Sequence, residues 1–128
     1  MKKIFHLSTC NTCQKILKLW LPPAEFVIID IKQKNISAAD LDFAAKKLGS
    51  YEALFSRRAI KFRSEGWNEK TLTEKDYRRL ILSEYTFLKR PVMINGDKVF
   101  AGNSKAVVEE AKKSQLPHLF PQQLPPSQ

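Results

Sequence analysis

The stretch Phe5-His6-Leu7-Ser8-Thr9-Cys10-Asn11-Thr12-Cys13 constrains the fold of this chain more than any other. Lys2 to Leu7 reads as a short strand, because Ile4, Phe5 and Leu7 are apolar and a turn-prone Ser-Thr pair follows. From Asn11 the pattern becomes helical: Ile16, Leu17, Trp20 and Leu21 recur at three- and four-residue spacing. Pro22-Pro23 stops that helix. Glu25 to Ile31 is an apolar, β-branched run, the mark of a strand buried on both faces. The first 31 residues therefore form a βαβ opening with two cysteines at its first turn.

A sulfur placed where a strand hands over to a helix faces backbone N–H groups and the positive end of the helix dipole. Both favour the thiolate, so Cys10 is expected to ionise below the free-thiol value of about 8.5. Cys13 lies near one helical turn on, within disulfide reach, and suits the role of resolving thiol. These are the only two cysteines, which excludes a disulfide scaffold. A structural zinc site needs two further ligands, and the only histidines are His6 and His118. No metal is expected, and a redox pair is the economical reading.

Ser37 reads as the N-cap of a second helix, with Asp40 three residues on, Leu41, Ala44, Ala45 and Leu48 on one face, and Gly49 as C-cap. Tyr51 to Phe55 reads as a further short helix, and Ala59 to Leu72 as a basic loop. Thr73 caps a helix expected to reach Leu88, with Asp76 in its first turn and Tyr77, Leu80, Ile81 and Leu88 on one face. Pro91 to Phe100 reads as a hairpin with a type I′ turn at Asn95-Gly96. Asn103 or Ser104 caps a last helix, with Val107, Val108 and Ala111 inward. Trp20 and Trp67 read as packing residues.

The order is β-α-β, a helical insert, then β-β-α. This is an α/β thioredoxin-like plan with a mixed four-stranded sheet. It implies one domain over residues 1–113, an insert over about 37–88, and a Pro/Gln-rich tail over 114–128 outside the fold. The 128-residue length suits one domain, and 43% hydrophobic with 27% charged residues is ordinary for a globular protein. No apolar run approaches the roughly 20 residues that span a bilayer, and no signal-peptide core follows Lys2-Lys3. A cytoplasmic location is expected, with no membrane partner. The net charge of +9 is scattered, densest at Arg57, Arg58, Lys61 and Arg63, and suits nucleic acid, an acidic protein partner or anionic small substrates; no aromatic-and-basic groove motif supports the first.

In a thioredoxin-like plan the proline before the hairpin is cis and faces the cysteine. Pro91 holds that position, and Arg90 beside it would aim a guanidinium at the same pocket. Guanidinium groups pair bidentately with oxyanions. Arg57 and Arg58 lie in the insert, beside a loop that can fold over the site. Asn11 and Thr12 can donate to a bound oxyanion, and His6, at the end of the first strand, can support the thiolate. A thiolate, a helix N-terminus and two arginines suit a tetrahedral oxyanion.

Phe5 through Lys15, then Arg58 with Phe62 four residues later, then Leu88-Lys89-Arg90-Pro91-Val92, then Gly102-Asn103 resemble the arsenate reductase (ArsC)/Spx family in order and spacing. The resemblance spans about residues 2 to 113. It implies a thioredoxin-like core with a helical insert. In the arsenate reductase branch it implies Cys10 as the nucleophile, Arg58 and Arg90 holding the oxyanion, His6 at the branch's histidine, and Pro91 as the cis-proline. No bound cofactor is implied; glutathione with glutaredoxin, or thioredoxin, is the external reductant. Gln14 stands where the family often has arginine, and Phe100-Ala101-Gly102-Asn103-Ser104 lacks the arsenate branch's third arginine. Cys13 is similar to the Spx branch, and the Gly-Asn end resembles both the Spx branch and an uncharacterised ArsC-like branch with CxxC. The reading is thus a thiol oxidoreductase acting on an oxyanion or disulfide, with Cys10, Cys13, Arg58 and Arg90 catalytic and His6, Asn11, Thr12 and Pro91 binding substrate. The alternative is an Spx-like redox-sensing regulator that binds the RNA polymerase α subunit.

Overall fold

A computed structural model describes residues 1–115. Its elements are β1 (Lys2–His6), α1 (Asn11–Trp20), β2 (Val27–Asp30), α2 (Ala38–Leu48), α3 (Ile60–Ser64), α4 (Glu74–Ser83), β3 (Val92–Asn95), β4 (Lys98–Ala101) and α5 (Lys105–Ser114), with short 3-10 turns at Glu52–Leu54, Trp67–Glu69 and Tyr85–Phe87. The four strands form one sheet in the order β2-β1-β3-β4. β1 runs parallel to β2 and antiparallel to β3, and β3 and β4 form the hairpin. This is the mixed thioredoxin-like sheet read from the sequence.

Alternation along the central strands divides the core between the two faces of the sheet. Ile4 and Met93 pack with Ile16, Trp20, Val108 and Ala111 of α1 and α5. Phe5, Val92 and Ile94 point the other way, into the insert, against residues that include Leu41, Leu54, Phe55, Tyr77, Ile81 and Leu88. The Trp20 indole donates to the Val108 carbonyl at 3.0 Å, so burying its N–H leaves no donor unpaired while α1 is locked to α5. Among the described residues no helix is long and apolar enough to cross a membrane.

Several local readings hold. Ser37 caps α2 by accepting the Asp40 N–H, and Gly49 closes it at φ 97°. Thr73 and Asp76 form a reciprocal capping box at the start of α4. Ser104, rather than Asn103, caps α5.

Others are corrected. β2 is four residues long, and Val27 and Ile28 are 54% and 44% exposed. It is an edge strand, so its apolar run is not buried on both faces. The expected loop after Ala59 contains α3, anchored by buried Phe62 against Phe55 at 5.8 Å between ring centroids. The helix expected to reach Leu88 stops at Ser83. Glu84 turns extended there, and its carboxylate accepts the Thr86 N–H to open the next 3-10 turn. Leu88 instead bridges to Phe55. In the hairpin, Asn95 remains in β3 opposite Lys98, and Gly96-Asp97 form the turn. Only Gly96 there has positive φ, at 67°, the sign pattern of a II′ turn rather than I′.

Ser114 still belongs to α5, and Gln115 is buried with its amide donating to the Trp20 carbonyl at 3.1 Å, so packing continues past residue 113. The remaining residues of the expected tail, 116–128, lie outside the described residues.

Candidate active site

Between β1 and α1 the chain makes a tight turn whose end is Cys10. The Cys10 N–H donates to the Leu7 carbonyl at 3.0 Å. The Ser8 N–H donates to Asp30 Oδ1 at 3.2 Å, which ties the turn to the neighbouring strand. Gln14, in the first turns of α1, reaches back to the same Leu7 carbonyl at 3.0 Å and to His6 Nδ1 at 3.2 Å. The carbonyl fixes the orientation of the Gln14 amide, so His6 Nδ1 is left to accept its second N–H. His6 is thus held by Gln14 behind the turn.

Cys10 occupies the N-cap of α1 with extended backbone, φ −95° and ψ 111°, where serine or aspartate usually sits. No acidic residue stands in the first turn to compete for the helix N-terminus. Partial burial opposes ionisation of Cys10. The Cys13 N–H and thiol, the charge of Arg90 and the Thr12 N–H together outweigh it, and the Cys10 pKa falls below the ordinary thiol value. Cys13 is fully buried. Burial pushes its thiol up, the Leu7 backbone offsets part of this, and the neighbouring Cys10 adds to it, bringing the value to about 11. The two thiols are free and differentiated: one ionises readily and is partly exposed, the other is protonated and hidden.

Cys10 opens into a cavity of about 520 Å3 whose lining includes Arg57, Arg58, Lys89 and Arg90 and no carboxylate. Arg90 is fixed by its own backbone neighbourhood: Nη1 donates to the Thr86 and Leu88 carbonyls at 3.0 and 2.9 Å, leaving its other N–H groups for the cavity. Its peptide bond to Pro91 is cis. Pro91 is buried, and its carbonyl accepts the Gly102 N–H at 3.0 Å, which positions the strand-to-helix connection on the far wall. Gly102 has φ 99°, which a residue with a side chain would adopt only under strain.

Of the residues singled out in the sequence, the cavity brings together Cys10, Arg57, Arg58 and Arg90. Cys13 lies beneath Cys10. Asn11 and Thr12 are exposed on the first turn of α1, and neither they, His6 nor Pro91 line the cavity. Sequence reading did not single out Ser56, Lys89, Asn103 and Ser104 as site residues, although they line it. Lys89 and Asn103 stand beside residues already marked, Arg90 and Gly102, and adjacency was the available signal. Among the described residues no cluster of histidine, cysteine, aspartate and glutamate could hold a metal ion.

The ArsC family model matches residues 5–111 of the chain. No curated protein sequence matches it. Among solved structures, a protein of Bacteroides fragilis described as ArsC-family related superposes with a TM-score of 0.75 at 21% identity, over 88% of this chain and 96% of the other. An arsenate reductase from Vibrio cholerae gives 0.71 at 15% identity, over 85% and 95%. An arsenate reductase (ArsC) related protein from Brucella melitensis gives 0.60 at 23% identity, over 85% and 92%. At these identities the likeness is one of fold.

Proposed function

The chain belongs to the ArsC family, and we propose that it is a thiol-dependent reductase in which Cys10 attacks an oxyanion of the arsenate type. The observation that carries this reading is that Cys10, Arg58 and Arg90 share one cavity that no carboxylate lines. A depressed thiol pKa supplies the nucleophile at neutral pH. Guanidinium groups aimed at the same space bind the oxyanion and stabilise the charge that builds on it as the sulfur–arsenic bond forms.

Attack by the Cys10 thiolate on arsenic expels one oxygen as water after protonation. A second thiol then attacks the Cys10 sulfur. The sulfur–arsenic bond breaks, its electron pair stays with arsenic, and arsenite leaves. Two thiols have become one disulfide, which balances the two-electron reduction. Glutathione is the proposed second thiol, and glutaredoxin or thioredoxin regenerates Cys10. Cys13, one helical turn on, is the internal alternative to that reductant.

Turnover of arsenate with glutathione and glutaredoxin tests this. Wild-type protein should release arsenite, and Cys10→Ser should release none. The cysteine pair also favours a second reading, a redox-sensing regulator that binds the RNA polymerase α subunit. Capture of that purified subunit by only one of the reduced and oxidised forms, without arsenate turnover, would support it instead.

A further inference from the structure

The cavity is larger and less uniformly polar than one tetrahedral oxyanion requires. Its volume of about 520 Å3 lies in the range, roughly 300–1,000 Å3, of pockets that enclose organic ligands. Phe55, Ala101 and Val107 give it an apolar wall, which suits a carbon skeleton and has no part in holding an oxyanion. Lys89 lines the same space, is half-buried, and makes no ion pair among the described residues. Its stem runs beside Gly102, 3.7 Å from where a Cβ there would stand, an ordinary van der Waals distance. Asn103, exposed on the adjoining wall, adds an amide that both donates and accepts. Ser104 contributes less, because its Oγ already accepts the Val107 N–H at 3.3 Å.

We propose that Lys89 and Asn103 form a second anion subsite, which takes the carboxylate of a small organic disulfide while its sulfur meets Cys10. This rests on the reading of Cys10 as nucleophile and adds a substrate class to the same site. The Cys10 thiolate attacks one substrate sulfur. The substrate S–S bond breaks, one half leaves as a thiolate and the other stays joined to Cys10. Cys13 gives its proton to solvent and attacks the Cys10 sulfur, releasing the second half as a thiolate. The organic disulfide gains two electrons and becomes two thiols, and the protein loses two and becomes the Cys10–Cys13 disulfide.

Stopped-flow oxidation of the reduced full chain by two probes tests the subsite: dithiobis(nitrobenzoate), which carries carboxylates, and neutral dithiodipyridine. Lys89→Gln should lower the ratio of the first rate to the second about tenfold, the effect of one charge-assisted contact. Lys89→Arg should restore the ratio. Lys113→Gln removes the same charge from the far end of α5, on a side chain outside the cavity, and should leave the ratio where it was. A ratio unchanged in Lys89→Gln, or lowered equally by Lys113→Gln, overturns the subsite. Wild-type rates of Cys10→Ser with both probes overturn the nucleophile assignment beneath it.

Discussion

Arg57 and Arg58 are consecutive, yet their side chains are engaged in opposite ways. Arg57 Nη2 donates to Glu52 Oε2 at 2.9 Å and to the Tyr77 hydroxyl at 2.7 Å, and its guanidinium lies 5.5 Å from the Tyr77 ring centroid. Both line the cavity that holds Cys10, but Arg58 makes no ion pair among the described residues. The first braces the insert, and the second remains free for an anion.

The pair should therefore separate in mutagenesis. Arg58→Ala should lower kcat/KM for the oxyanion about 100-fold, the usual effect of removing one donor to a developing oxyanion, with little change in Tm. Arg57→Ala should instead destabilise the fold by about 1 kcal/mol, the net value of a typical hydrogen bond, with a smaller kinetic effect. Steady-state kinetics and thermal melts on the two variants check this.

The two thiols should titrate apart. Alkylation of Cys10 by iodoacetamide should rise with pH to a midpoint below the ordinary thiol value, because the folded state favours its anion. Cys13→Ala removes a donor to that sulfur and should move the midpoint up. The raised Cys13 value, about 11, favours the folded state fully below the ordinary thiol pKa, and that contribution is lost as pH rises toward 11. Denaturant melts of reduced wild type and Cys13→Ala across this window should converge at the alkaline end.

Asp30 should matter to Cys10 without touching it. Its carboxylate accepts from Ser8 and from the Lys32 N–H, and these bonds, led by the Ser8 side chain, hold its pKa below the usual carboxylate value. The tie is complete above that usual value and is lost as pH falls through the depressed one. Asp30→Ala should loosen the Leu7–Cys10 turn above the carboxylate range, where the wild-type tie is intact, and shift the Cys10 alkylation midpoint toward that of a free thiol. An unmoved midpoint would show that the Leu7 carbonyl alone holds the turn.

Phe55 joins the insert to the cavity. It is 1% exposed, stacks on Phe87 at 5.2 Å, meets Tyr77 at 4.9 Å, and also lines the site. Phe55→Ala should cost about 3–5 kcal/mol, the usual range for a large aromatic side chain removed from a core. Chemical denaturation measures it directly.

What the sequence made legible was local chemistry. The cysteine at the strand–helix junction, the Ser37 and Thr73 caps, and Arg90 beside Pro91 are set by neighbours within a few residues. What it hid depends on tertiary placement. The β2 run looks doubly buried until the strand order puts it at the edge of the sheet. α3, five residues long, is too short to be stable alone and forms because Phe62 is seated against Phe55. Arg57 and Arg58 look alike until Glu52 and Tyr77 claim one of them. Lys89 enters the site only because the chain after β4 folds back across it, held by the Pro91 carbonyl.

On the proposed reading, Cys10 is the reducing nucleophile of a cation-lined oxyanion site. A single-turnover reaction of the fully reduced protein with arsenate and glutathione decides this, with arsenite release assayed and the state of each cysteine read by mass spectrometry. Arsenite should appear in step with loss of the free Cys10 thiol, and none should come from Cys10→Ser. Arsenite released by Cys10→Ser at the wild-type rate, or no arsenite from wild type while Cys10 remains reduced, would contradict it.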